Sequence, residues 1–254
     1  MVKALRIELL KSRRTRSFSL AVILMLVALL WNLVSLGDEF SNRQLDAVGV
    51  LFNNQTVNSL LLPIAISIFT SRIVNNERMG QTFKLQNANG KTTLKIFDSK
   101  LILTALFFLL IAIGQTGAVT LYAYSHGVHV PLPISLLQVI GQFLASLSLI
   151  TLYLFLALVI EKQGLLLSLG FMGGFFGLVL ASKTSALWSF ILPFLGAGYL
   201  APYKFSLVDS LTYTYVWDPC LGLRLMLYLL YLAIIAIAVR TMIARKGTLA
   251  WETI

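Results

Sequence analysis

Long unbroken apolar runs dominate this chain, rather than the period-two alternation of half-buried strands or the narrow stripe of a soluble amphipathic helix. The first run covers residues 18–36, and others cover 57–74, 101–122, 134–160, 165–180 and 221–239. A helix needs about 20 mostly apolar residues to cross about 30 Å of hydrocarbon. The pattern therefore predicts six transmembrane helices, spans one to six. Pro63 interrupts span two, which a membrane helix tolerates where neighbours satisfy the backbone. Span one follows Lys11, Arg13, Arg14 and Arg16, as a secretory signal would, but it is too long and lacks a small-residue cleavage motif near Gly37. It reads as a retained helix.

The segments between the runs differ in character. Residues 1–17 alternate Val2, Leu5 and Leu9 with Lys3, Arg6, Lys11 and Arg14, the pattern of a helix lying on an anionic leaflet. Residues 75–100, NNERMGQTFKLQNANGKTTLKIFDSK, are much longer than a hairpin between two spans requires. If Glu77 to Gln86 is helical, Met79, Phe83 and Gln86 share a face, a small knob among charges suited to a groove on a cytoplasmic partner. An ordinary basic loop on lipid headgroups is the other reading of the same residues. Residues 126–133 form a turn, and Glu161, Lys162 and Gln163 make a tight polar break. Residues 182–217, with Trp188, Pro193, Tyr199, Pro202, Tyr213 and Trp217, have the composition of short helices and turns at a membrane interface.

Composition agrees with this all-α polytopic fold. At 58% hydrophobic and 12% charged residues, with a mean hydropathy of +0.85, the 254-residue chain has too little polar surface for a soluble globule. The net charge of +10 would suit a nucleic-acid partner. Its distribution argues against one, because sixteen of the twenty Lys and Arg fall on the side holding both termini, the segment between spans two and three, and the Glu161 break. That side is cytoplasmic by the positive-inside rule, so both termini are expected there. Cys220 is the single cysteine and has no partner for a disulfide or a CxxC site.

Little in the spans could do chemistry. Residues 20–36, 101–122, 134–160 and 165–180 contain no Asp, Glu, Lys, Arg or His, which weighs against an intramembrane enzyme or a proton-coupled carrier. His126 and His129 sit in a Gly- and Pro-containing turn without a third ligand nearby, so no metal is expected. Gln115, Gln138 and Gln142 are polar groups inside spans that must find partners or line a wet path; structural hydrogen bonding is the plainer of the two roles. Gly164, Gly170, Gly173, Gly174 and Gly177 give span five a small-residue face for close helix packing, within the chain or across a dimer. Arg224, near Asp218, reads as half of a local ion pair.

One resemblance orders these features. A basic N-terminal helix, a second span ending near Glu77, then Thr82-Phe83-Lys84, a small-residue turn over residues 87–90, Lys91 and Lys95, and Ser99-Lys100-Leu101 leading into span three together resemble the ABC-2-type permeases. Trp188-Ser189-Phe190 followed by Pro193 resembles the lantibiotic-immunity branch of that family. The resemblance covers nearly the whole chain. It implies a half-transporter in the bacterial cytoplasmic membrane that pairs with a second permease, identical or homologous, and a dimer of ATP-binding subunits. Glu77, Met79, Thr82, Phe83, Lys84 and Gln86 would form the coupling segment. Gln115, Gln138, Gln142, Asp209 and Tyr213 would lie along a substrate path for an amphipathic peptide or lipid-like molecule, with Asp209 and Tyr213 near its outer exit. No G-x-x-x-x-G-K-[ST] pattern occurs, so ATP and Mg would belong to the partner and the chain itself would be neither an enzyme nor a cofactor carrier. A non-transporting membrane scaffold or sensor partner is the second reading.

Overall fold

The computed structural model describes residues 16–39, 47–52, 55–81, 86, 90, 92–207 and 213–245. Eight helices appear among them: α1 (Ser17–Glu39), α2 (Ala47–Phe52), α3 (Gln55–Met79), α4 (Thr93–Ser125), α5 (Leu132–Val159), α6 (Gln163–Val179), the single turn α7 (Gly196–Tyr199) and α8 (Leu221–Arg245). Between α6 and α8 run three 3-10 turns, at Ala181–Lys183, Leu187–Ile191 and Pro193–Leu195, and an antiparallel hairpin of β1 (Tyr203–Leu207) with β2 (Tyr213–Trp217). The interfacial helix expected over residues 1–17 lies almost wholly outside the described residues.

Helices α1, α3, α4, α5 and α8 are long and apolar enough to cross a bilayer. The fifth apolar run is α6, whose 17 residues extend only about 25 Å at about 1.5 Å per residue. It falls short of the hydrocarbon thickness, and the chain goes on in 3-10 turns instead of further α-helix. The result is a nearly all-helical, polytopic membrane protein.

Helix α3 is the centre of the bundle. Of its apolar window 72% is buried, against 28% for α1 and 17% for α8, so the outer helices offer most of their surface to lipid. Its closest neighbour is α6, and the reason lies in the glycines of α6. A Cβ on Gly170 would strike Ser67, one on Gly174 would strike the Leu60 carbonyl, and one on Gly177 the Ser59 carbonyl. The small face therefore packs inside the chain. Pro63 has no N–H to give to the Ser59 carbonyl four residues earlier, and Gly177 brings the backbone of α6 against that same carbonyl. On the opposite side of α3, Phe69 stacks on Phe107 of α4 at 4.9 Å and meets Phe18 of α1 edge-on at 5.1 Å. Edge and offset aromatic pairs of this kind contribute about 0.5–1.5 kcal/mol each beyond burial, which ties the first three spans together.

Two boundaries differ from the hydropathy reading. Residues 75–79 and 93–100 are not loop: α3 runs on to Met79, and α4 starts at Thr93, capped by the Thr92 hydroxyl accepting from the Lys95 N–H. Glu77 to Gln86 is consequently not one helix. The Gly80 N–H closes on Asn76 and the Gln81 N–H on Arg78, and Gln81 takes a φ of 49°, which ends the helix. The segment between α6 and α8 holds a β-hairpin in addition to the expected short helices. Tyr203 pairs with Trp217 and Phe205 with Tyr215 on one face of the hairpin, which rests on α2, where Gly49 meets Tyr203 and Tyr215.

Candidate functional site

The last turn of α3 gathers the polar groups of the basic end of the bundle. Glu77 is 4% exposed and Lys100, from the start of α4, is fully buried; their charged atoms lie 3.0 Å apart. Gln86, also buried, donates to Glu77 at 3.3 Å. A buried ion pair is costly to desolvate and survives where further hydrogen bonds complete it, and here the third member comes from the loop. Glu77 thus joins span two, span three and the segment between them.

Arg78, the next residue, faces the other way. Its Nη1 donates to the carbonyls of Ile160 (2.6 Å) and Glu161 (3.1 Å), and its Nη2 to those of Ala157 (2.9 Å) and Leu158 (3.0 Å). The last carbonyls of a helix have no partner within it and carry the negative end of its dipole, so a guanidinium fork at the end of α5 meets both needs. One turn earlier, Asn75 donates to Gln163 at the start of α6. Met79 then projects 81% exposed, followed by exposed Gly80 and Gln81.

The six residues expected to couple to a partner are thereby divided. Met79 is exposed, whereas Gln86, expected beside it on an exposed knob, is buried and donates to Glu77, itself buried and paired with Lys100. Thr82, Phe83 and Lys84 lie outside the described residues.

A second polar cluster sits at the opposite end, between α8 and the irregular segment. Arg224 is 5% exposed; its Nε lies 2.6 Å from Asp218, and its two terminal nitrogens donate to the carbonyls of Thr184 (2.9 Å) and Ser185 (2.6 Å). The expected Arg224–Asp218 pair is present, and it reaches further than a local contact. Lys204 of β1 donates to the carbonyls of Gly198 and Tyr199 (2.8 Å), so the hairpin is fastened to α7. Arg224 and Lys204 lie 5.0 Å and 5.9 Å from the centre of the Tyr199 ring. Burial, reinforced by the Arg224 charge and opposed by Asp218, pushes the Lys204 ammonium down to about 7. Below this cluster Tyr228 of α8 shares a hydrogen bond with Ser148 of α5 (2.7 Å) beneath Gly196, and Tyr231 donates to Ile191 (2.9 Å).

Within the spans, Gln142 of α5 donates to Gln115 of α4, which donates in turn to the Met25 carbonyl of α1 at 3.0 Å. Two of the five expected path residues, Gln115 and Gln142, are therefore hydrogen-bonded to each other and to the backbone; Gln138 is buried on α5. Asp209 lies outside the described residues, and Tyr213 opens β2. The polar residues that fasten the bundle were otherwise missed: nothing near Arg78 in sequence marks carbonyls about eighty residues away, and Lys100 reads as an ordinary basic flank. The hairpin did leave a signal, since Tyr203, Phe205 and Leu207 alternate with polar residues and Tyr213, Tyr215 and Trp217 recur with period two.

Among the described residues no cluster of His, Cys, Asp or Glu could hold a metal ion. No curated protein and no solved structure matches the chain. The family model described as ABC-2 family transporter protein matches residues 4–181, from the basic N-terminal segment through the end of α6, and so takes in the Glu77 and Arg78 contacts and the glycine face of α6. That stretch is more than half of the 254 residues, and the chain belongs to the ABC-2 family of transporter proteins, as a membrane permease component.

Proposed function

We propose that the chain is the permease of an ABC exporter that expels an antimicrobial peptide of the lantibiotic or bacteriocin class from the bacterial cytoplasmic membrane, as self-immunity or resistance. A dimer of separate ATP-binding subunits drives it from the face rich in Lys and Arg, and a second permease, identical or homologous, completes the complex. Family membership is the observation that carries this reading; the Trp188-Ser189-Phe190 and Pro193 run is what narrows it to the peptide-immunity branch.

Three features support it. The exposed Met79–Gln81 tip stands on a last turn anchored to spans three and four, as a lever arm must be. Apolar side chains on the outer faces of α1, α6 and α8, among them Trp31, Phe171, Phe175 and Met226, give a lipid-facing surface from which an amphipathic molecule can enter. Arg224, which as a free charge would repel a cationic peptide, is buried against Asp218 and two carbonyls.

The test is resistance. Expression of the chain with its ATP-binding subunit in a sensitive bacterial host raises the inhibitory concentration of at least one member of a lantibiotic panel, and Phe83→Asp removes that protection while the protein remains inserted. Unchanged protection in Phe83→Asp removes the coupling role of residues 77–86. A host that stays equally sensitive to every peptide removes the substrate class.

A further inference from the structure

Neighbouring residues on the last turn of α3 make two different kinds of contact. Glu77 pairs with the side chains of Lys100 and Gln86, whereas Arg78 donates to four backbone carbonyls, those of Ala157, Leu158, Ile160 and Glu161, at another helix end. Side-chain pairs can exchange partners when helices slide. A planar guanidinium whose two terminal nitrogens hold four carbonyls at a helix terminus presents its donors in one rigid fork, so a displacement breaks several hydrogen bonds at once. The α5–α6 connection it grips is also the shortest between long helices among the described residues, with α5 ending at Val159 and α6 starting at Gln163. Any displacement of that turn therefore moves both helices. Helix α6 returns along α3 through Gly170, Gly174 and Gly177, and Asn75 ties α3 to the first residue of α6. The three helices are closed into a triangle, with Arg78 at the corner nearest the exposed Met79 tip.

We propose that Arg78 is a positioning residue that makes the end of span two, its exposed Met79–Gln81 tip and the α5–α6 turn one rigid body, so that a force applied at that tip reaches spans two, four and five together. The inference deepens the reading of that tip as a contact for an ATP-binding subunit and rests on it for the origin of the force. Its rigidity claim concerns this chain alone. The moving parts would then be α1 and α8, which pack least on the rest of the bundle.

Paired spin labels test it. In a Cys220→Ser background, cysteines replace Gln81 and Lys162, both exposed and on the two sides of the Arg78 contact, and the distance distribution is measured in lipid nanodiscs. The chain alone should give one narrow distance, which stays the same in complex with the ATP-binding subunit without nucleotide and after trapping with ATP and vanadate. Arg78→Met should broaden the distribution, and Arg78→Lys, which keeps a charge but loses the fork, should fall between the two; the lysine variant serves where the methionine variant does not fold. A distribution as narrow in Arg78→Lys and Arg78→Met as in the parent overturns the proposal, as does a distance that changes between the nucleotide states. If no ATP-binding subunit assembles, the proposed function fails, while the distances in the chain alone still decide whether Arg78 makes the body rigid.

Discussion

Arg224 and Asp218 are each 5% exposed, and removing one partner of a buried pair strands the other charge. Such losses cost about 3–5 kcal/mol, so Arg224→Met should lower the thermal unfolding midpoint in detergent markedly, and adding Asp218→Asn should recover most of the loss. A double variant no better than the single one would show that the carbonyls of Thr184 and Ser185, not Asp218, dominate. Lys204 makes a prediction with a sign. Its ammonium is held near 7 against an ordinary 10.5, so between those values the unfolded chain binds more protons than the folded one. Stability then rises with pH through that window and is flat below it. For a single proton the slope is at most about 1.4 kcal/mol per pH unit. The difference in unfolding midpoint between the protein and Lys204→Met, followed from pH 7 to pH 10, should shift in favour of the protein; a constant difference would mean that the lysine titrates alike in the folded and unfolded chain.

At the level of helices, the glycine face of α6 is the most exacting contact. Gly174→Leu would drive a side chain into the Leu60 carbonyl and Ile64, and Gly170→Leu into Ser67, so both should prevent close approach of α3 and α6. Overpacking of this kind costs about 1–3 kcal/mol or more, and the amount of monodisperse protein in mild detergent should fall sharply. Gly164→Ala and Gly114→Ala, where an added Cβ meets nothing within 4 Å, should leave that amount unchanged. This face was legible in the sequence because small residues at three- and four-residue spacing have one physical use in a membrane, which is to bring backbones together. The apolar runs were legible for the same reason: hydrocarbon imposes length and composition on whatever crosses it. The ends of the spans were not. Asn75, Asn76 and Glu77 look like a membrane boundary, yet the helix continues through them, because its polar groups are met by Lys100 and by the end of α5, contacts invisible in local pattern. The run of residues 165–180 reads as a full span, whereas α6 is a 17-residue helix too short for one; the hairpin beyond it has a period-two signal in residues whose aromatic character serves interface turns and strands equally well.

For the whole molecule, both polar clusters lie at the ends of the bundle and the glutamine link lies within it, so the chain is fastened at its two faces and at one level between. The Glu77 and Arg78 contacts fasten spans two to five at the basic face. Arg224 and Lys204 fasten α8, the 3-10 turns and the hairpin at the other. Permeases of the ABC-2 family normally work with an ATP-binding subunit. The direct measurement is affinity purification of the tagged chain from its native membrane in mild detergent, followed by mass spectrometry and an ATPase assay. Recovery of a stoichiometric ATP-binding subunit with hydrolysis that rises on adding a lantibiotic is the predicted result. A chain that purifies alone and inert would contradict the exporter and leave a membrane scaffold in its place.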